Sequence, residues 1–138
     1  MNDLEKAKQI FLSEKCTLVL AKGDTVITES DNSLKALIQK ADNGEDFTDF
    51  TACINYCGRA AAFLFVLLGV KHVHASKMAK LSPQILDRAE ITFCQDEYLE
   101  DFTSNAPELE SQAEEAVLRS GSAIKALEDL KNLKSLLS

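Results

Sequence analysis

Basic residues are scarce in this sequence of 138 residues: 15 lysines and arginines stand against 22 aspartates and glutamates, a net charge of −7. A protein that follows nucleic-acid phosphates needs a basic face, so this balance argues against nucleic-acid binding and against attachment to an anionic membrane surface. Long apolar runs are lacking too. The longest, residues 60–70, is about half of what a bilayer crossing requires. The sequence therefore predicts neither a nucleic-acid partner nor a membrane partner.

Signals for export and cross-linking are also missing. Residues 1–6 lack the basic-then-apolar order of a signal peptide, which predicts a cytoplasmic protein. The 4 cysteines should then stay reduced, and their spacing is not that of a disulfide framework. No internal repeat or low-complexity tract is present. The content of 46% hydrophobic and 27% charged residues is typical of one soluble domain, residues 1–138, whose core needs no metal or disulfide.

Hydrophobic spacing predicts three elements in the first third of the chain. Residues 3–14 have the periodicity of an amphipathic helix. Residues 16–29 consist of an apolar run, a Lys-Gly-Asp turn and a β-branched run, which together predict a hairpin. Ser33 can cap a short helix that extends through residue 41.

The middle of the chain is the most apolar part. Residues 52–68 have almost no polar face, which predicts one long buried helix. Strands are predicted at residues 71–75 and 91–94, around a helix over residues 82–89 that begins with Ser82-Pro83. The resulting order, α-β-β-α-α-β-α-β-α-α, predicts an α/β protein: a three-layer α/β/α sandwich around a mixed four- or five-stranded sheet.

The C-terminal third changes character. Residues 104–110 are polar and predict a loop, Ser111 to Glu114 form a capping box that opens a short helix, and Ser122 caps a last helix ending near residue 137. Apolar residues recur at every third position of that last helix, so the stripe winds around it and exceeds what one small core can bury. We therefore expect a homodimer joined partly by this helix. The stripe comprises Ile124, Leu127, Leu130, Leu133 and Leu136.

Several segments resemble the DUF1893 family, which has no established function. The resemblance is strongest over residues 4–29, including Leu4-Glu5-Lys6-Ala7, and residues 50–95, including Gly58-Arg59-Ala60-Ala61-Ala62 and Leu68-Gly69-Val70-Lys71. It implies a single DUF1893-like domain with the cytidine deaminase-like fold. The family pattern is incomplete here, because Ile54 and Asn55 stand where an Asp-Lys pair is common. Its Cys-Pro-x-Glu motif is represented only by Glu114.

The implied fold does not bring deaminase chemistry with it. Zinc deaminases use a His/Cys-Ala-Glu motif and a Pro-Cys-x-x-Cys motif, in which the glutamate moves the proton. The first would fall on Cys57-Gly58-Arg59, where an arginine that stays charged replaces the glutamate. The second would fall within residues 76–80, which contain no cysteine or histidine. We therefore expect no zinc, no cofactor and no zinc-dependent deaminase activity.

Two groups of thiols and imidazoles have alternative interpretations. Cys53 and Cys57 would lie one turn apart on the predicted helix, either as a metal or redox pair completed by His72, His74 or Cys94, or as small side chains that fill a tightly packed core. His72 and His74 alternate along a strand and so point to the same face. Spacing alone places no third metal ligand beside them.

Gly58 and Arg59 carry the strongest functional signal. An arginine in an apolar segment either pairs with an acidic residue, for which Asp96, Glu97 and Glu114 are available, or recognises a ligand carboxylate or phosphate. Ser76, Lys77 and Lys80 are predicted just beyond a strand, where such a pocket would open. The capping box by itself explains Glu114.

The sequence thus predicts non-catalytic binding of a small anionic ligand, a nucleotide or phosphometabolite, or a regulatory or partner role. The alternative is an enzyme with a non-zinc mechanism in which Cys57 is the thiol nucleophile, activated by Arg59 or His74. The candidate ligand-binding residues share a predicted place at the carboxyl edge of the sheet or beside it. They are Cys57, Gly58, Arg59, Ser76, Lys77 and Glu114.

Overall fold

A computed structural model of the chain describes residues 2–133. Its centre is a five-stranded mixed sheet with the strand order β2-β1-β3-β4-β5. Strand β1 pairs antiparallel with β2 and with β3, whereas β3, β4 and β5 are parallel. The strands are β1 (Leu18–Lys22), β2 (Thr25–Glu29), β3 (Thr51–Cys57), β4 (His72–Ala79) and β5 (Thr92–Leu99).

Seven helices occur in the described residues, and they lie on both faces of the sheet. One face carries a single helix, and the other carries most of the rest. No helix in residues 2–133 is long and apolar enough to cross a membrane. The helices are α1 (Asp3–Ser13), α2 (Ser33–Asp42), α3 (Arg59–Leu68), α4 (Ser82–Arg88), α5 (Phe102–Asn105), α6 (Glu108–Ala116) and α7 (Ala123–Lys131).

The sheet separates two cores of unequal size. Helix α1 contributes Ala7 and Phe11 to the smaller one, where they pack against Val19, Ala21 and Cys53 of β1 and β3. The larger core joins the other sheet face to α2, α3, α4, α6 and α7. Burial of its apolar surface is the main favourable term in the free energy of folding. The α1 face therefore contributes the smaller share of the buried apolar surface.

Local signals explain where several elements begin and end. The Asn2 side chain accepts a hydrogen bond from the Glu5 N–H and caps α1, and Ser122 does the same for α7 with the Lys125 N–H. Gly23, with a φ of 57°, supplies the left-handed residue in the turn between β1 and β2. The sequence predicted α1, the hairpin, α2 and the start of α7 close to these positions. The predicted cap at Ser33 is wrong, because the Asn32 side chain caps α2 by accepting from the Lys35 N–H.

The predicted helix over residues 52–68 is wrong in its first half. Thr51–Cys57 is the central strand β3, and only Arg59–Leu68 is helical. A segment that is apolar on all sides fits a strand buried on both faces as well as it fits a buried helix. Gly58, extended at a φ of −85°, joins the two elements.

Two other boundaries also differ from the sequence prediction. Helix α6 begins at Glu108, so Ser111 lies inside it and opens no capping box. Leu81, not Ser82, is the N-cap of α4, and Ser82 is the first residue of the helix. The Ser82 hydroxyl donates to the Cys57 carbonyl oxygen at 3.1 Å. That bond ties the start of α4 to the end of β3.

Part of the apolar stripe of the last helix is buried in the larger core of the same chain. Leu130 is fully buried, and Leu127 and Leu133 pack against the larger core. Ile124 is 68% exposed. Leu136 lies outside the described residues.

Candidate functional site

The three parallel strands end at a common edge of the sheet, and a cleft of about 390 Å³ opens there. In α/β proteins, ligands bind preferentially beyond the carboxyl ends of parallel strands. Arg59, the first residue of α3, lies in this cleft beside Glu114 of α6. The remaining lining residues end β4 and β5 or follow them: Ala79, Lys80, Leu81, Leu99, Glu100, Asp101, Phe102 and Thr103.

Arg59 pairs with Glu114, which was one of the three acidic partners that the sequence offered. Its Nε lies 3.5 Å from Glu114 Oε2. The other carboxylate oxygen, Oε1, accepts the Ala60 backbone N–H at 3.0 Å. Glu114 thus caps α3 from a distant helix, where a carboxylate is favoured by the unpaired N–H groups and the helix dipole. The capping-box explanation of this glutamate is wrong.

Only the Nε of the Arg59 guanidinium takes part in this ion pair. Its side chain is 20% exposed, whereas that of Glu114 is 5% exposed. No hydrogen bond joins either terminal nitrogen of Arg59 to another residue of the described chain. A guanidinium has five N–H donors in a fixed plane, so one end can be held while the other meets a ligand.

Gly58 makes this arrangement possible. A Cβ at this position would collide with the Glu114 carboxylate and would lie 2.8 Å from Cε1 of Phe102. The absence of a side chain therefore lets the glutamate reach the N-terminus of α3. The predicted importance of Gly58 has a structural basis, although the group that approaches closely is Glu114.

Cys57 lies at the same strand end but is buried completely. Its Sγ lies 3.7 Å from the Gly58 carbonyl oxygen. Burial, with a smaller contribution from the neighbouring Glu114 carboxylate, raises the pKa of the Cys57 thiol far above its ordinary value. Arg59 does not offset these effects, so the environment disfavours the thiolate that a nucleophile requires.

Of the six predicted ligand-binding residues, only Arg59 and Glu114 line the cleft; Ser76 and Lys77, like Cys57 and Gly58, do not. Ser76 and Lys77 lie within β4, which extends to Ala79, because the strand continues well past the predicted end at residue 75. Lys77 Nζ forms an ion pair with Glu97 across the β4–β5 ladder at 2.9 Å. Lys80 alone of the predicted basic group follows the strand and lines the cleft.

The rest of the cleft was missed by the sequence analysis. Lys80 pairs with Glu100 at 2.6 Å. Asp101 caps the short helix α5 by accepting the N–H and hydroxyl of Ser104. The acidic Glu100-Asp101 pair before Phe102 was the available signal, but β5 was predicted to end at Cys94, too early to bring these residues to the edge.

The structure separates the two cysteines that the sequence grouped together. Cys53 packs in the smaller core beneath α1, and Cys57 packs in the larger core on the other side of the sheet. Among residues 2–133, no three His, Cys, Asp or Glu side chains form a group that could hold a metal ion. Residues 76–79, where the sequence placed most of the second deaminase motif, belong to strand β4, and α4 begins with Ser82-Pro83-Gln84. Neither segment contains a cysteine or a histidine.

Comparison with known proteins agrees with this architecture. The crystal structure of a DUF1893 family protein (TM1506) from Thermotoga maritima superposes with a TM-score of 0.78, covering 92% of this chain and 86% of that chain at 18% sequence identity. Such an identity shows a shared fold and nothing finer. No curated protein matches the sequence. Residues 6–131 match the family model described as TM1506, Domain of unknown function (DUF1893). The chain therefore belongs to the DUF1893 family.

Proposed function

We propose that the cleft at the carboxyl edge of the sheet binds a small metabolite through a carboxylate or phosphate group, without catalysing its conversion. The observation that carries the proposal is that only the Nε edge of the Arg59 guanidinium has a hydrogen-bond partner in the described residues. Glu114 holds Nε at one edge, and the terminal nitrogens have no hydrogen-bond partner in residues 2–133. A planar fork held at one edge is pre-organised for an oxyanion at the other.

The charges in the cleft favour a small anion over a large one. Glu100, Asp101 and Glu114 contribute three carboxylates against the two cations Arg59 and Lys80, which leaves a local charge of −1. Lys80 and Asp101 already have partners, in Glu100 and Ser104. Repulsion from the carboxylates grows with ligand charge. We therefore expect compounds with one phosphate or one carboxylate to bind better than nucleoside triphosphates.

A deaminase function finds no support in the residues of this cleft. The family resemblance implies that Arg59 stands where a deaminase has its proton-carrying glutamate, and residues 76–80 contain no cysteine or histidine. The cytidine deaminase-like fold itself stays a prediction from the family resemblance. The alternative enzyme, with Cys57 as nucleophile, is disfavoured by the complete burial of that thiol.

A thermal-shift panel tests the proposal. The intact protein is heated with inorganic phosphate, small mono- and dicarboxylates, nucleoside monophosphates and nucleoside triphosphates. A ligand at about 100 times its dissociation constant adds about 2.7 kcal/mol to the free energy of unfolding, so binding gives a saturable rise in Tm. We expect that rise with a compound carrying one phosphate or carboxylate, and a smaller rise with triphosphates.

Variants assign the effect to the cleft. Arg59→Leu should abolish the shift, and Arg59→Lys should reduce it, because lysine retains the charge opposite Glu114 but lacks the planar fork. Arg88→Leu is the matched control, since Arg88 is an exposed arginine outside the cleft. An unchanged shift in Arg59→Leu, or no shift with any anion, contradicts the proposal.

We further propose a cytoplasmic location, which is supported by four cysteines that are all free thiols. We also retain a homodimer, with Ile124 and Leu118, exposed at 68% and 60%, as its apolar contact. Light scattering should then give a dimer mass that Ile124→Asp lowers to that of a monomer. A monomer mass for the intact protein would contradict the dimer.

A further inference from the structure

The opposite face of the sheet, beneath α1, contains a second group of chemically reactive side chains. Cys94 of β5 is half-buried between two histidines of β4. His74 Nδ1 lies 3.1 Å from the Cys94 sulfur, and His72 Nε2 lies 3.4 Å from it. From the sequence, these three residues were candidates to complete a metal site, and His74 was also a candidate to activate Cys57. The parallel register places all three together, because His74 stands directly opposite Cys94.

The outer contacts of the two rings determine which nitrogens can accept a proton. His74 Nε2 lies 3.5 Å from Asp96 Oδ1, an acceptor, so this nitrogen carries the hydrogen and Nδ1 faces Cys94 with a lone pair. His72 Nδ1 lies 2.6 Å from the Thr92 hydroxyl oxygen, which also lies 3.2 Å from the Lys71 carbonyl oxygen. Of the two rings, His74 is the closer to the Cys94 sulfur, and it is the one whose Asp96 contact directs a lone pair at the thiol.

Thiol, imidazole and carboxylate stand here in the order of a nucleophile, its base and the group that orients the base. Cys94 touches His74, and His74 touches Asp96. His74 is 5% exposed, so its ring is held by its surroundings. This order is absent around Cys57, the thiol that the sequence favoured.

A small cavity adjoins the group. It has a volume of about 200 Å³ and is lined by Phe11 and Leu12 of α1, together with Lys8, His74 and Asp96. Its size is below the range of about 300–1,000 Å³ typical of drug-sized ligands, so it suits a short acyl group. The two apolar side chains can contact the acyl chain, and the Lys8 ammonium can attract a carbonyl oxygen as negative charge develops on it.

We propose that Cys94 is a nucleophilic thiol that accepts small acyl groups from activated esters or thioesters, with His74 as its general base and Asp96 as the positioning residue. The Cys94 thiol proton passes to His74 Nδ1 as the sulfur bonds to the carbonyl carbon. The bond from that carbon to the leaving oxygen or sulfur then breaks. The leaving group takes the proton from His74, and Cys94 keeps the acyl group as a thioester. No oxidant or reductant is consumed.

The protonation states of the resting site suit this step. Burial lowers the pKa of His74 despite the opposing Asp96 carboxylate, so the ring is neutral and able to accept a proton at neutral pH. Burial raises the pKa of Cys94, with Lys8 opposing, so the thiol retains its proton until a base removes it. The other charged and titratable groups that act on this site are His72, Lys71 and Cys53.

Acetylation by p-nitrophenyl acetate tests the proposal on the full chain. The rate at each cysteine is followed by mass spectrometry of peptides, with Cys16 as the control inside the same molecule. Cys16 is also half-buried, and no histidine contributes to its pKa shift. General-base catalysis contributes about 10²–10⁴-fold, so even part of it should make Cys94 at least about tenfold faster than Cys16 at neutral pH.

Variants identify the base. His74→Gln should lower the acetylation rate of Cys94 to about that of Cys16 and leave the rate of Cys16 unchanged. His72→Gln should leave most of the acetylation rate of Cys94. Asp96 is 66% exposed, so Asp96→Asn should fold even if His74→Gln does not. Because the carboxylate raises the pKa of His74, its loss should move the rate–pH profile of Cys94 to lower pH.

Three results would overturn the proposal. The first is equal rates at Cys94 and Cys16. The second is an unmoved pH profile in Asp96→Asn together with an unchanged Cys94 rate in any folded His74→Gln protein. The third is a Cys94 that reacts only after a chelator removes a bound metal ion, which would make this group a metal site.

Discussion

The Arg59 cleft and the Cys94 group bring their polar side chains together in different ways. At the Arg59 cleft, a cation of α3 meets a carboxylate that α6 brings from 55 residues away. Beneath α1, His74 and Cys94 of two neighbouring strands meet because β4 and β5 are in register. The contact between Arg59 and Glu114 depends on how α3 and α6 dock, whereas the contact between His74 and Cys94 depends on the sheet. Changes in the docking of α3 and α6 should therefore disturb the cleft and spare the contact between His74 and Cys94.

The largest effect is expected from Gly58→Ala. The new Cβ would collide with the Glu114 carboxylate and Phe102, and relief of the collision would withdraw the cap from α3. Overpacking costs about 1–3 kcal/mol and loss of a helix cap about 1 kcal/mol, so we expect a loss of about 2–4 kcal/mol in the free energy of unfolding. Urea denaturation measures it.

Gly121→Ala is the matched control for that substitution. No atom lies within 4 Å of a Cβ built on Gly121, so the change should stay within about 0.5 kcal/mol. The rate at which p-nitrophenyl acetate acetylates Cys94 should be the same in both variants. Equal stabilities of the two glycine variants would show that Glu114 does not need the space at Gly58.

A smaller loss is expected from Glu114→Ala. The substitution leaves the Ala60 N–H and the Arg59 Nε without their acceptor. Leaving a buried hydrogen-bonding group unsatisfied costs about 1–3 kcal/mol, and the partial exposure of Arg59 places the expected value in the lower half of that range. Glu115→Ala changes an exposed neighbour on the same helix and should cost less than about 0.5 kcal/mol.

The combination of Gly58→Ala and Glu114→Ala sharpens this prediction. Removing the carboxylate also removes the main obstacle to the new Cβ, so the double variant should lose less stability than the two single losses added together. Strict additivity would mean that the glycine and the glutamate act independently.

The smallest effect concerns pH and the buried Glu110, one turn before Glu114 on α6. Its Oε1 lies 3.5 Å from Asn32 Nδ2, and its Oε2 is buried with no hydrogen-bond partner in the described residues. Burial raises the pKa of Glu110 above its ordinary value of 4.5. Its contribution to stability is thus complete below that value and is lost as the pH rises through the raised pKa.

Glu110→Gln should remove this pH dependence. Near neutral pH, the variant should have a larger free energy of unfolding than the original protein. In acid, where the original carboxyl is protonated, this difference should shrink or vanish. Denaturation midpoints measured from acid to neutral pH provide the test. A parallel pH dependence in the two proteins would show that Glu110 does not titrate in this range.

Elements with local signals could be predicted from the sequence, and those set by distant contacts could not. The helix after Asn2, the Lys22-Gly23-Asp24 turn and the cap at Ser122 each depend on residues within a few positions. The strand at Thr51–Cys57 was missed because its apolar residues face two cores at once, which erases the alternation that marks a strand. Only its neighbours β1 and β4 determine its conformation.

The same distinction applies to the sites. Arg59 could be selected as an arginine in an apolar segment, and Glu114 could be named among its partners. The sequence could not show which of three acidic residues pairs with Arg59, because the docking of the helices determines which carboxylate lies beside it. The sequence did not identify Cys94 as a nucleophile because strand register places His74 beside it. The short strand predicted at residues 91–94 did not reveal that register. Cys57 was overrated because its complete burial appears only in three dimensions.

The central claim is that the free edge of Arg59 receives a ligand anion while Glu114 holds the other edge. The most direct measurement is a nuclear magnetic resonance titration of the nitrogen-labelled protein with inorganic phosphate and with small carboxylates. The account predicts saturable shifts of the Arg59 side-chain N–H signals that are absent in Arg59→Leu, with the signals around Cys94 unchanged. Shifts that never saturate, or that persist unchanged on the neighbouring Lys80 and Thr103 signals in Arg59→Leu, would contradict it.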